Sequence, residues 1–123
     1  MAARTKARKR ALDLLFEAEQ RQVNVGELLR QRRAAPNRGM GRTQAPLSEF
    51  TGDLVSGVVE HWTQIDELIA TYSQGWTLAR MPAVDRSILR LGAYEVLYST
   101  DVPEAVAISE WVGLATELST DDS

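Results

Sequence analysis

Apolar residues recur every three or four positions along most of this chain, the spacing of one face of an α-helix. From Arg8 to about Gln22, Leu12, Leu15 and Phe16 form such a stripe, flanked by Ala11 and Ala18. Asn24 followed by Glu27 has the form of a capping box, with Val25, Leu28 and Leu29 as the buried side of a short second helix. Residues 34–46 contain two Pro and two Gly and no period, which predicts a flexible basic connection. Leu47, Phe50, Leu54, Val58, Trp62, Ile65, Ile69 and Tyr72 then lie on one face of a long third helix. At about 1.5 Å per residue that helix is a rod about 39 Å long.

Gly52 and Gly57 each weaken the third helix by roughly 1 kcal/mol relative to Ala, so they mark close helix contacts or a bend. Gly75 ends it, and Trp76, Leu78 and Met81 form an apolar link. Pro82 suits the first turn of the next helix, where its missing N–H matters least. From Val84 to Tyr98 apolar residues cover most of the circumference, the pattern of a central, buried helix. Ser99 to Pro103 breaks it. A final helix, about Ala107 to Leu118, carries Ile108, Trp111, Val112, Ala115 and Leu118 on one face. No segment alternates convincingly for a strand, and the predicted fold is all-α.

Composition narrows the class. A chain of 123 residues, 44% hydrophobic and 25% charged, has the size and balance of one ordered domain. It has no cysteine, which excludes disulfides, thiolate metal centres, iron–sulfur clusters and cysteine nucleophiles. No run of 18 apolar residues is present to span a bilayer. The early acids Asp13, Glu17 and Glu19 disagree with a signal or transit peptide, so the expected location is cytoplasmic. The net charge of −3 conceals a division. Residues 1–42 hold eleven Lys and Arg against four Asp and Glu, whereas residues 43–123 hold three against thirteen. Such asymmetry suggests a polyanion-binding part joined to an acidic body.

Catalytic chemistry has little to work with. His61 is the only histidine, mid-helix between Glu60 and Trp62, and a partly exposed helix position explains it better than a catalytic role. Gly39-Met40-Gly41 lacks the spacing of a dinucleotide loop, and Gly41-Arg42-Thr43 lacks the Lys and upstream Gly of a phosphate loop. Adjacent Asp121 and Asp122 read as a solvated tail, so no metal or cofactor is expected. Arg4, Lys6, Arg8, Lys9 and Arg10 are different: they put five cations into seven positions, and where such cations open a helix they oppose its dipole. Local stability therefore does not explain them. On charge alone, phosphate binding and a solvated basic tail are evenly matched. Plain solubility is the better account of Arg30, Arg32, Arg33, Arg38 and Arg42. Single-stranded RNA recognition normally adds stacking groups, but Phe16, the nearby aromatic, has the spacing of a core residue.

Three motifs carry a resemblance. Ala7-Arg8-Lys9-Arg10-Ala11-Leu12-Asp13-Leu14-Leu15-Phe16 resembles the Arg-rich opening helix of the bacterial NusB family of transcription antitermination factors. Pro82-Ala83-Val84-Asp85-Arg86-Ser87-Ile88-Leu89-Arg90-Leu91-Gly92-Ala93-Tyr94-Glu95 looks like that family's central helix. Asp101-Val102-Pro103, Val106 to Glu110 and Glu117 to Ser123 match its next elements in order. The resemblance implies two packed helical subdomains, here residues 1–74 and 75–123. It also implies a non-enzymatic factor that binds boxA RNA with NusE, a ribosomal protein. The complex helps RNA polymerase read through terminators, notably on ribosomal RNA operons. Carried over by position, Arg4, Lys6, Arg8, Lys9, Arg10, Phe16 and Asp122 are the implied RNA-binding residues, and Asp85 the implied NusE contact. An acidic body would suit that basic partner.

In the family a further segment and a last helix follow the Asp-Ser pair matched by Asp122-Ser123. The chain ends at Ser123, so the expectation is a less stable protein with an exposed apolar patch that favours self-association, a homodimer included. Two rival readings stay open: the NusB-like front domain of a ribosomal RNA cytosine methyltransferase, and a protein-interaction module that binds no RNA.

Overall fold

The computed structural model describes residues 2–34, 47–73 and 76–118. The described residues form six α-helices and one short 3-10 turn, with no strand. The helices are α1 (Ala3–Arg21), α2 (Val25–Ala34), α3 (Glu49–Glu60), α4 (Trp62–Tyr72), α5 (Ala83–Tyr98) and α6 (Glu104–Leu118), with the turn at Leu78–Arg80. The expected all-α fold is observed. Of the expected connection at 34–46, Ala34 closes α2 and the remainder lies outside the described residues, as do Gly75 and Asp122.

Helix α1 begins five residues before the apolar stripe does. Its cap, Ala2, offers no side-chain hydrogen bond, and its first turn contains no acid. Tertiary contacts hold it instead: Arg4 and Arg8 lie over the Phe50 ring, 4.6 and 5.1 Å from its centre. At the other end Gln22 turns left-handed (φ 57°), and the Val23 N–H reaches the Ala18 carbonyl at 2.9 Å. The Glu27 N–H donates to Asn24 Oδ1 at 3.0 Å, and Val25, Leu28 and Leu29 are buried as expected. The other half of the capping box does not form, because the Glu27 carboxylate turns to Arg30.

The expected single rod from Leu47 to Tyr72 is two helices bent at His61 (φ −111°, ψ 22°). The ladder survives the bend, with the His61 N–H on the Gly57 carbonyl and the Ile65 N–H on the His61 carbonyl. Gly57 makes the close approach possible: a Cβ there would lie 2.1 Å from Tyr94 Cζ. The bend also lays His61 against Tyr98, ring centres 3.9 Å apart and planes within 10°. Leu54, Val55 and Val58 therefore join the main core, while Ile65 and Ile69 form a smaller cluster with Met81. Tyr72 is 75% exposed, off the buried face the spacing gave it.

Helix α5 is central, packing against α1, α3, α4 and α6, but it is not buried all round. Its buried positions are Ser87, Ile88, Leu91 and Glu95, whereas Leu89, Leu97 and Tyr98 are exposed. Helix α6 buries Ala107, Trp111 and Leu114, leaving Ile108 (51%) and Val112 (58%) largely in solvent. The apolar composition of both helices hid which stripe faces inward. The main core joins α1, α2, α3, α5 and α6 through residues such as Leu14, Leu28, Val55, Leu91 and Leu114.

The Tyr94 ring packs closely against α3 at Gly57. Gly57→Ala should lower stability by about 1–3 kcal/mol through overpacking. In a Tyr94→Ala background the same change should be nearly neutral, which paired urea midpoints would read.

Candidate nucleic-acid interface

One turn of α1 carries most of the basic segment, and helical geometry divides it. Lys6, Lys9, Asp13 and Phe16 follow each other at intervals of three or four, so they share one outward stripe about 15 Å long. Lys6 is exposed, and Lys9 and Phe16 are half-buried. Arg10 lies beside this stripe, half-buried, close enough to Asp13 to act on its carboxyl. Arg4 is exposed one turn earlier, its guanidinium over Phe50. Lys9 pairs with Glu117 at 3.5 Å, both side chains well solvated, an interaction weak enough to exchange for another anion.

Arg8 points the other way. It is 2% exposed, its Nε donates to Glu95 Oε1 at 2.9 Å and its Nη2 to Glu95 Oε2 at 2.5 Å. Nη1 reaches Glu110 at 3.3 Å, and Thr5 Oγ1 donates to the same carboxylate at 2.6 Å. Glu95, itself 1% exposed, also accepts from Trp111 Nε1 at 2.7 Å. The guanidinium is fully engaged inside the protein. This corrects the expected phosphate contact: Arg8 is a structural cation, because its position on α1 faces α5 and α6.

Phe16 moves in the opposite sense. Its spacing marks it as core, yet neither core cluster among the described residues includes it. A half-exposed aromatic next to Lys9 and Asp13 is a surface on which a base can stack. Asp85 sits in the first turn of α5, half-buried, where its charge suits the helix dipole. It is separate from the α1 stripe in sequence and element. No group of His, Asp or Glu among the described residues could hold a metal ion, and no helix there is long and apolar enough to cross a membrane. The arrangement can neutralise phosphates and stack a base.

The NusB family model matches residues 5–123. The chain belongs to the NusB family. A transcription antitermination protein NusB of Beutenbergia cavernae is 55% identical over 131 aligned positions, covering 100% of this chain and 82% of the relative. One from an Arthrobacter species is 54% identical over 123 positions, covering 100% and 85%. Among solved structures, "T. maritima NusB" aligns with TM-score 0.78 at 28% identity, over 98% of this chain and 82% of that one. A chain from "Crystal Structure of a Plectonemic RNA Supercoil" aligns with TM-score 0.75 at 27% identity, over 97% and 83%. The names matched are those of a transcription factor rather than an enzyme. Within this NusB fold, sequence reasoning missed Glu95, Glu110 and Trp111 as the partners that take Arg8 inward. A charged Glu95 in line with buried Leu91 was the available signal, since an acid on a core stripe needs a partner.

Arg8→Ala should therefore lower stability by about 3–5 kcal/mol, leaving Glu95 buried without its cation. Lys6→Ala, on the exposed side, should stay within about 0.5 kcal/mol. Urea midpoints of the two variants would check the contrast.

Proposed function

We propose that this chain acts in transcription antitermination by binding single-stranded boxA RNA together with the ribosomal protein NusE. In the cytoplasm the complex would help RNA polymerase read through terminators, notably on ribosomal RNA operons. The observation that carries this reading is the NusB family match over residues 5–123. The outward cations of α1 support its RNA half. Arg4, Lys6, Lys9 and Arg10 contact phosphates, giving affinity without sequence, and Phe16 stacks a base. Asp122, outside the described residues, completes the proposed RNA contacts, and Asp85 belongs to the NusE side. The acidic surplus of residues 43–123 supports the protein half, since complementary charge speeds docking of a basic partner.

Four phosphate contacts on single-stranded RNA predict that log affinity falls with log salt at a slope near about −3. Fluorescence anisotropy with boxA-containing RNA measures it. Replacing Arg4, Lys6, Lys9 and Arg10 with Gln should flatten the slope. Absent binding, or a slope indifferent to these changes, contradicts the RNA reading. Capture of NusE by the same protein, with and without RNA, tests the partner.

A further inference from the structure

A concave surface lies between α3, the end of α5 and the link into α6, bordered by the Phe50 ring on which Arg4 and Arg8 of α1 rest. The cavity measures about 320 Å³ and is lined by Phe50, Asp53, Glu60, Tyr94, Tyr98 and Asp101, among others. Tyr94 and Tyr98 lie 5.9 Å apart with planes within 18°, and His61 stacked on Tyr98 holds that ring in place. Asp53, Glu60 and Asp101 are exposed, and none of them forms an ion pair among the described residues. Arg4 and Arg8 lie over the Phe50 ring without bonding these three acids. Burial pushes the Tyr94 phenol above its ordinary range, and the charges of Asp53, Glu60, Asp101 and Glu95 add to that push.

The molecule itself shows what fills such a surface. Arg90 lies 4.2 Å over the Trp62 ring while its Nε donates to Asp66 at 2.8 Å. A ring and a carboxylate together hold one guanidinium there. The cavity brings two tyrosine rings together with three carboxylates, and none of those carboxylates pairs with an arginine among the described residues. A planar guanidinium suits it better than an ammonium, because it can lie along a ring and still bond carboxylates at its edge.

We propose that this cavity receives an arginine side chain of a basic protein partner. The assignment deepens the protein half of the proposed function and rests on that reading for the partner's identity. The cavity itself is testable without the partner. An acetylated Gly-Arg-Gly peptide titrated into the full chain should shift the Tyr94 and Tyr98 ring signals and the Asp101 amide in NMR spectra. The citrulline counterpart should not.

Tyr98→Ala and Asp101→Asn should each weaken the arginine peptide about tenfold. Tyr98→Phe should stay near the parent, since the ring is kept. Glu67→Gln, an exposed acid of α4 outside the cavity, should have no effect. Arginine and citrulline peptides giving equal shifts, or Glu67→Gln weakening binding as much as Asp101→Asn, would overturn the proposal. If the peptide binds but Tyr98→Ala captures NusE as well as the parent does, the cavity stands and its assignment to this partner fails. If the parent chain captures no NusE, the partner reading fails by itself.

Discussion

One buried ion pair sets which face of α1 meets α5 and α6. Arg8 and Glu95 meet with two hydrogen bonds in a site closed to water, and Trp111 and Glu110 complete their bonding. Such a pair adds little net stability, because desolvation offsets most of its attraction. What it does is exclude alternatives. The observed rotation of α1 against α5 and α6 satisfies all four side chains. Any other arrangement strands a charge in the core, at a cost of several kcal/mol.

That constraint decides which cations reach solvent. With Arg8 turned inward, the helix period places Lys6, Lys9 and Phe16 on the outward stripe, with Arg10 beside it. The same constraint explains how five clustered cations can open a helix against its own dipole. Arg8 is neutralised inside, Arg4 rests on Phe50, and Lys9 has Glu117 nearby. The basic and acidic halves of the chain are thus partly matched within the fold. Glu17 shows this on α1: burial pushes its carboxyl up, but Arg32 and Arg21 outweigh that and hold it below the ordinary range. Three of the acids without an ion pair among the described residues, Asp53, Glu60 and Asp101, line the aromatic cavity.

Helix existence was legible in the sequence because the apolar period is strong, and Asn24 and Glu27 marked a real helix start. Helix rotation was less legible. In α5 and α6 apolar residues outnumber the buried positions, so Ile108 and Val112 have the same signature as Trp111 and Leu114 while lying in solvent. The bend at His61 was half visible, since Gly57 announced a close contact but not that Tyr94 would supply it. Among the site residues, charge identified the basic segment. It could not separate Arg8 from its neighbours, because the distinction rests on partners 87 and 102 positions away. Phe16 was misread for a related reason, as spacing from Leu12 does not reveal where the facing helices stop.

Arg8 belongs to the packing of α1 against α5 and α6, and we propose that Arg4, Lys6, Lys9 and Arg10 bind RNA phosphates. The most direct measurement is the salt dependence of boxA RNA affinity for the double variant Arg8→Met with Glu95→Gln. This change removes the buried charge pair and keeps an acceptor for Trp111. The double variant should fold, with a slope that matches the parent's. A slope shallower by about 0.7, the value of one lost phosphate contact on a single strand, would contradict it.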